Sequence, residues 1–202
     1  MFKDTEASGN GRELKMKCTN FQEIKEFTRN PNYRINVGWK YLQEQLDQWN
    51  ERDGELDLDP EFQRGHVWTE AQQIAFVEFV LRGGVGSSEI KFNHPGWQSN
   101  YEGTMQLVDG KQRLTAVLRF LNNEIKAFGT YYKDFTGYVP HHAELIFTVN
   151  DLKTEAEVLQ WYLEINAGGT PHTEEELNKV RKMLKRRKNE SRRIAEKDSG
   201  RV

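Results

Sequence analysis

The 202 residues are enough for one substantial domain with appendages and a real hydrophobic core. Apolar residues make up 36% and charged residues 30%, so polar extended ends are expected around a compact centre. No run approaches a membrane-spanning length, no signal-peptide pattern opens the chain, and the lone Cys18 permits no intrachain disulfide. These features argue against a membrane protein and a disulfide scaffold, and favour a cytoplasmic one.

The elements can be taken in chain order. Residues 1–30 are polar and weakly patterned, and are expected to be partly disordered. Trp39, Leu42, Leu46 and Trp49 recur at helical spacing, which predicts an amphipathic helix over 38–50. Leu56 and Leu58 alternate with acids in a short strand running into Pro60. Thr69 then opens a capped helix carrying Ile74, Phe76, Val77, Val80 and Leu81, which Gly83-Gly84 ends. Strands are predicted at 90–92, 104–108, 124–128 and 145–149, the last being the strongest strand signal. A helix follows Asp109, another starts at Thr154 and a third at Thr173, the last two with Thr-x-x-Glu box signatures. The order mixes short strands and helices, so the predicted class is α+β, a small mixed sheet flanked by helices. The core should occupy 31–150, with a helical completion over 151–178 and a basic helix or tail over 179–202.

Charge is unevenly spread. Residues 179–202 hold eleven Lys/Arg and three Asp/Glu, a net of +8, which leaves −10 on the other 178 residues against the total of −2. Lys182, Lys185, Arg186, Arg187, Lys188, Arg192 and Arg193 are suited to neutralising DNA phosphates. A solvated helix, or a tail folded back on the acidic body, remains the alternative. The same asymmetry leaves head-to-tail homo-oligomers open.

Asp109-Gly110-Lys111-Gln112-Arg113 lies between an apolar strand and a helical pattern. Such a junction points the first backbone N–H groups and the positive dipole end of a helix at one place. Lys111 and Arg113 add cationic side chains there, and Arg113 lies one turn into the helix, within reach of a phosphate oxygen. The alternative is structural: Asp109 caps the helix and Gln112 reaches back to it. Two further segments stand out, Pro60-Glu61-Phe62-Gln63-Arg64-Gly65-His66-Val67-Trp68 and Glu164-Ile165-Asn166-Ala167-Gly168-Gly169-Thr170-Pro171. Read alone, the second is a helix–helix turn, or a glycine loop able to approach a ligand closely.

Together the three segments resemble the GmrSD-type family, whose members carry a PxxQRxxVW-like segment, a DGQQR motif and an INxGGTP-like segment in this order. Lys111 stands where that family usually has Gln. The family is related to the ParB and sulfiredoxin nucleotide-binding folds, so the resemblance implies a ParB-like sheet and binding of NTP phosphates. The implied ligands are Gln63, Arg64, Gly110, Lys111, Gln112, Arg113, Asn166, Gly168, Gly169 and Thr170, with Asp109, Arg113 and His66 as candidates for chemistry. Asp109 would hold Mg2+ bridging phosphate oxygens, because a bare carboxylate beside phosphates is repelled. Arg64 has an alternative as a salt-bridge partner of Asp109 or Glu61, and His66 as a packing neighbour of Trp68. Sulfiredoxin chemistry is disfavoured, since Lys111 and Gln112 stand where its cysteine would be. His141-His142 reads as a surface loop rather than a metal site, and Trp39, Trp49 and Trp161 read as core.

The resemblance implies a role in DNA restriction or in phage–host conflict, inside a bacterial or phage-infected cell. Three functions are open: an NTP-binding or NTP-hydrolysing domain, a DNA-binding or DNA-cleaving protein, and a non-catalytic interaction module. Family enzymes usually add a C-terminal His-Asn-His nuclease domain, for which 202 residues leave no room. A nuclease or host-defence partner is therefore expected.

Overall fold

The computed structural model describes residues 19–21, 33–52, 55–63, 65, 67–84, 86, 88–166 and 174–199. Five strands form one mixed sheet: β1 (Tyr33–Gly38), β2 (Leu56–Asp57), β3 (Glu89–Asn93), β4 (Met105–Asp109) and β5 (Glu144–Asn150), in the order β1-β5-β3-β4-β2. β1 runs antiparallel to β5, β5 parallel to β3, β3 antiparallel to β4, and β4 parallel to β2. Five helices accompany it: α1 (Leu42–Arg52), α2 (Glu70–Leu81), α3 (Lys111–Leu121), α4 (Glu155–Asn166) and α5 (Glu174–Ser199). The α+β class is as expected.

The pleat divides the core in two. Alternate strand residues point to opposite faces. Thus Leu107 joins Ile90, Phe92, Leu145, Phe147 and Val149 in a large cluster with α1, α2 and α3. Its neighbour Val108 joins Phe62 and the apolar faces of α4 and α5 in a second cluster. Trp49 meets Phe92 and Phe147 at 5.2 Å each, so α1 is fastened to the sheet through aromatic edges. Trp39, Trp49 and Trp161 are all buried.

The caps explain where helices start. Thr69 and Gln72 form a capping box on α2, and Thr154 and Glu157 exchange the equivalent bonds at α4. The Thr173 signature lies outside the described residues. β1 is an addition to the predicted elements, although Tyr33, Ile35 and Val37 alternate with Arg34 and Asn36 as a half-buried strand should. The strand predicted at 124–128 is not one. Ile125 and Ala127 are buried, but Phe128 at φ 50° and Gly129 at φ 75° turn the chain back, leaving only an Ala127–Thr130 bridge. The predicted 38–50 helix begins as a 3-10 turn at Trp39–Tyr41 before α1 proper. His141 and His142 are exposed, and His142 Nε2 lies 3.1 Å from the Leu81 carbonyl.

Phe147 is fully buried against Trp49 and Phe92. Phe147→Ala should destabilise the fold by about 3–5 kcal/mol, read as a lower urea midpoint.

Candidate phosphate-binding site

The β4–α3 junction turns on Gly110. Its φ of 100° is left-handed, and a Cβ there would come within 2.6 Å of Ile90 Cδ1 and 3.2 Å of the Glu89 carbonyl oxygen. Only glycine fits. The Leu114 N–H donates to the Gly110 carbonyl at 2.9 Å, so the amides of 111–113 lie ahead of the helix's own ladder. They form the positive end of the α3 dipole.

Asp109 does not cap this helix; Gly110 holds the N-cap position without a side-chain bond. The Asp109 carboxylate instead accepts from Arg113 Nη2 at 2.9 Å, and the same nitrogen donates to the Glu89 carbonyl at 2.9 Å. Arg113 Nε is buried and has no hydrogen-bond partner. Lys111 pairs with Asp59, whose carboxylate is 76% exposed while the lysine side chain is 15% exposed. The junction therefore brings together two cations, Lys111 beside Asp59 and Arg113 beside Asp109. The Asp59 carboxylate stands in water, so a stronger anion can displace it from Lys111, whereas the covered Asp109 stays with Arg113 and holds it in place.

Gln112 does not reach back to Asp109 either. Its Oε1 accepts from the Val67 and Trp68 amides at 3.2 and 3.1 Å, and its Nε2 donates to the Gly65 carbonyl at 3.3 Å. In the opposite direction, Gln63 Nε2 donates to the Leu107 and Val108 carbonyls at 2.9 and 2.7 Å. Each motif thus uses its glutamine to satisfy backbone of the other. The side chains that carry this brace are amides, for which a charged residue cannot substitute as both donor and acceptor.

Asn166 ends α4, where its Nδ2 donates to the Tyr162 carbonyl at 2.7 Å. The Tyr162 ring meets Phe62 at 5.3 Å, which places that end of the helix on the motif-loop side of the sheet. Arg64, His66, Gly168, Gly169 and Thr170 lie outside the described residues. For a metal, the carboxylate at the turn among the described residues is Asp109, which is already paired with Arg113. Among the described residues no group of three or more His, Cys, Asp or Glu side chains is placed to hold an ion. Sequence reasoning did not find Asp59 or Glu89. Asp59 carried a weak signal, an acid immediately before Pro60, while Glu89 acts through its backbone and carries none.

The basic segment is helical. Val180 and Leu184 pack on α4, and Lys182, Arg186 and Arg193 fall opposite that face at 100° per residue. Lys185, Lys188 and Arg192 flank them, and all six are exposed. Arg187 is different: it pairs with Glu155 at 2.9 Å and Glu190 at 3.1 Å. Its guanidinium is held above the ordinary arginine value, first by the bond to Glu190 and then by the charge of Glu155. Lys179 donates to the Glu61 carbonyl at 3.1 Å, so the start of the basic run folds back on the body.

Residues 46–137 match the family model described as the GmrSD restriction endonuclease, N-terminal domain. This segment is a GmrSD-type domain. The match takes in both braced motifs, and the family it names is one of restriction endonucleases. No curated protein and no solved structure matches. Within the GmrSD-type segment the brace and the Gly110 turn are the features that fix the helix end in place.

Gly110→Ala should cost about 2 kcal/mol or more, because strain and overlap add. Gln112→Ala should speed hydrogen exchange at the Val67 and Trp68 amides about tenfold, with amides of β5 unaffected.

Proposed function

We propose that the α3 N-terminus binds the phosphates of a nucleoside triphosphate, in a protein serving DNA restriction or the conflict between phage and host. The observation that carries this reading is the Arg113 guanidinium. It is fixed by Asp109 and the Glu89 carbonyl, yet keeps a buried Nε–H without an acceptor beside a helix N-terminus. Lys111 is the second ligand, exchanging the exposed Asp59 carboxylate for a phosphate oxygen. Arg64, Asn166, Gly168, Gly169 and Thr170 are the further ligands in this reading.

Magnesium enters as the counter-ion of the triphosphate, with Asp109 the neighbouring carboxylate, and supplies charge neutralisation. Binding is favoured over hydrolysis, since Asp109 is committed to orienting Arg113 and is not placed as a base. The test is thermal stabilisation by each of the four common NTPs, with and without magnesium. One nucleotide should raise the midpoint by several degrees, and Lys111→Ala and Arg113→Ala should each abolish the shift while retaining a cooperative transition. Full shifts in both variants would sink the reading.

A second reading has its own observation, the outward cationic face of α5. Here that face contacts DNA backbone without sequence preference. With about six cations engaged, the logarithm of affinity should fall with the logarithm of salt at a slope near −5. Reversing Lys182, Arg186 and Arg193 to Glu should remove most of it; a slope near zero would contradict it.

A further inference from the structure

A pair of aromatic clefts lies at the other end of α3. Phe120 is ten residues beyond Gly110, about 15 Å along the helix, so the clefts are separate from the phosphate site. Trp39, 1% exposed, lines both and meets Phe120 edge-on at 6.2 Å. One cleft, of about 470 Å³, is walled by Phe120, Phe128, Tyr132 and Phe135. The other, of about 430 Å³, is bounded by Lys40 and Tyr41. Residues Tyr138–Pro140 line both clefts.

Four observations point to a ligand. The buried indole Nε1–H of Trp39 has no acceptor, which is rare for a buried donor. Four of the nine exposed large apolar side chains among the described residues gather here: Tyr41, Phe128, Phe135 and Tyr138, the last fully exposed. Phe128 is presented from a strained left-handed backbone at φ 50°, held by the Ala127–Thr130 bridge and by its N–H donating to Glu78 Oε1 at 2.7 Å. Strain of this kind in a bulky residue collects at ligand sites. Finally, Lys40 and Lys133 line the clefts and, among the described residues, no carboxylate does, in a chain where acids outnumber Lys and Arg by 31 to 29.

These features specify an occupant with a flat π face, an acceptor at its edge and a negative charge. An aliphatic peptide side chain answers the walls but neither the indole N–H nor the lysines. A paired base hides its faces in the stack. We propose that the clefts hold an unpaired nucleobase, stacked on the aromatic wall and accepting from Trp39 Nε1, with its attached phosphate at Lys133 or Lys40. Aromatic platforms with a cationic rim bind bases in this way with little sequence preference. The nucleotide comes either free or as part of a single strand.

The test uses the full chain and a fluorescent oligo(dT) strand, compared with the same strand made abasic at its centre. The intact strand should bind about tenfold more tightly, and Tyr138→Ala and Phe128→Ala should each erase that difference while leaving abasic-strand affinity unchanged. Both side chains are exposed, so the fold survives; Trp39→Phe, which keeps a ring and loses the N–H, should weaken the intact strand several-fold. Competition by dTMP identifies the free nucleotide as the source, and base-dependent strand binding without it identifies the single strand. Equal affinity for both strands, an undiminished preference in Tyr138→Ala, or no binding of strand or dTMP overturns the proposal.

Discussion

Two glutamines hold the centre of this molecule together. Gln63 and Gln112 reach in opposite directions between the loop after Pro60 and the β4–α3 junction, each satisfying main-chain groups of the other segment. β4 pairs with β2 only at Met105 and Gln106, so beyond that point Gln63 supplies hydrogen bonds that a longer neighbouring strand would otherwise give. The Gly110 turn, the direction of α3 and the position of the loop over its first turn all depend on the glutamine exchange. It gives a physical reason for the two motifs to occur together.

The same arrangement places opposite charges in a way that favours exchange. Arg113 is anchored through one nitrogen and keeps another without an acceptor. Lys111 is mostly covered while its partner Asp59 stands in water. A carboxylate in solvent is a weak competitor for a multiply charged phosphate beside a helix N-terminus. A phosphate bound there would inherit cations already in position, with little ordering left to do.

Much of the fold was legible in the sequence because its helices keep a clear apolar stripe and its caps are spelled out. Thr69-x-x-Gln72 and Thr154-x-x-Glu157 read directly as starts. β1 was equally legible from the alternation of Tyr33, Ile35 and Val37, which fell inside the predicted core but was assigned no element. The error at 124–128 has a physical cause: alternation of Ile125 and Ala127 is compatible with a strand, and nothing local announces that Phe128 will take a positive φ. At the β4–α3 junction, residue types foretold the strand-to-helix turn but not its bonds. Asp-Gly before a helix suggests an aspartate cap, whereas the glycine takes the cap position and frees the aspartate for Arg113. The glutamines' role was invisible, because a partner nearly fifty residues away leaves no local pattern.

α3 thus joins two different surfaces, a charged one at its start and an aromatic one at its end. The central claim concerns the first. The most direct measurement is the amide spectrum of the isotope-labelled chain during titration with magnesium and each triphosphate in turn. The account predicts that one nucleotide moves the Gly110, Lys111, Gln112 and Arg113 amides most, ahead of those in β1 and β5. Saturable binding that leaves these four amides still, or no perturbation with any triphosphate, would contradict it.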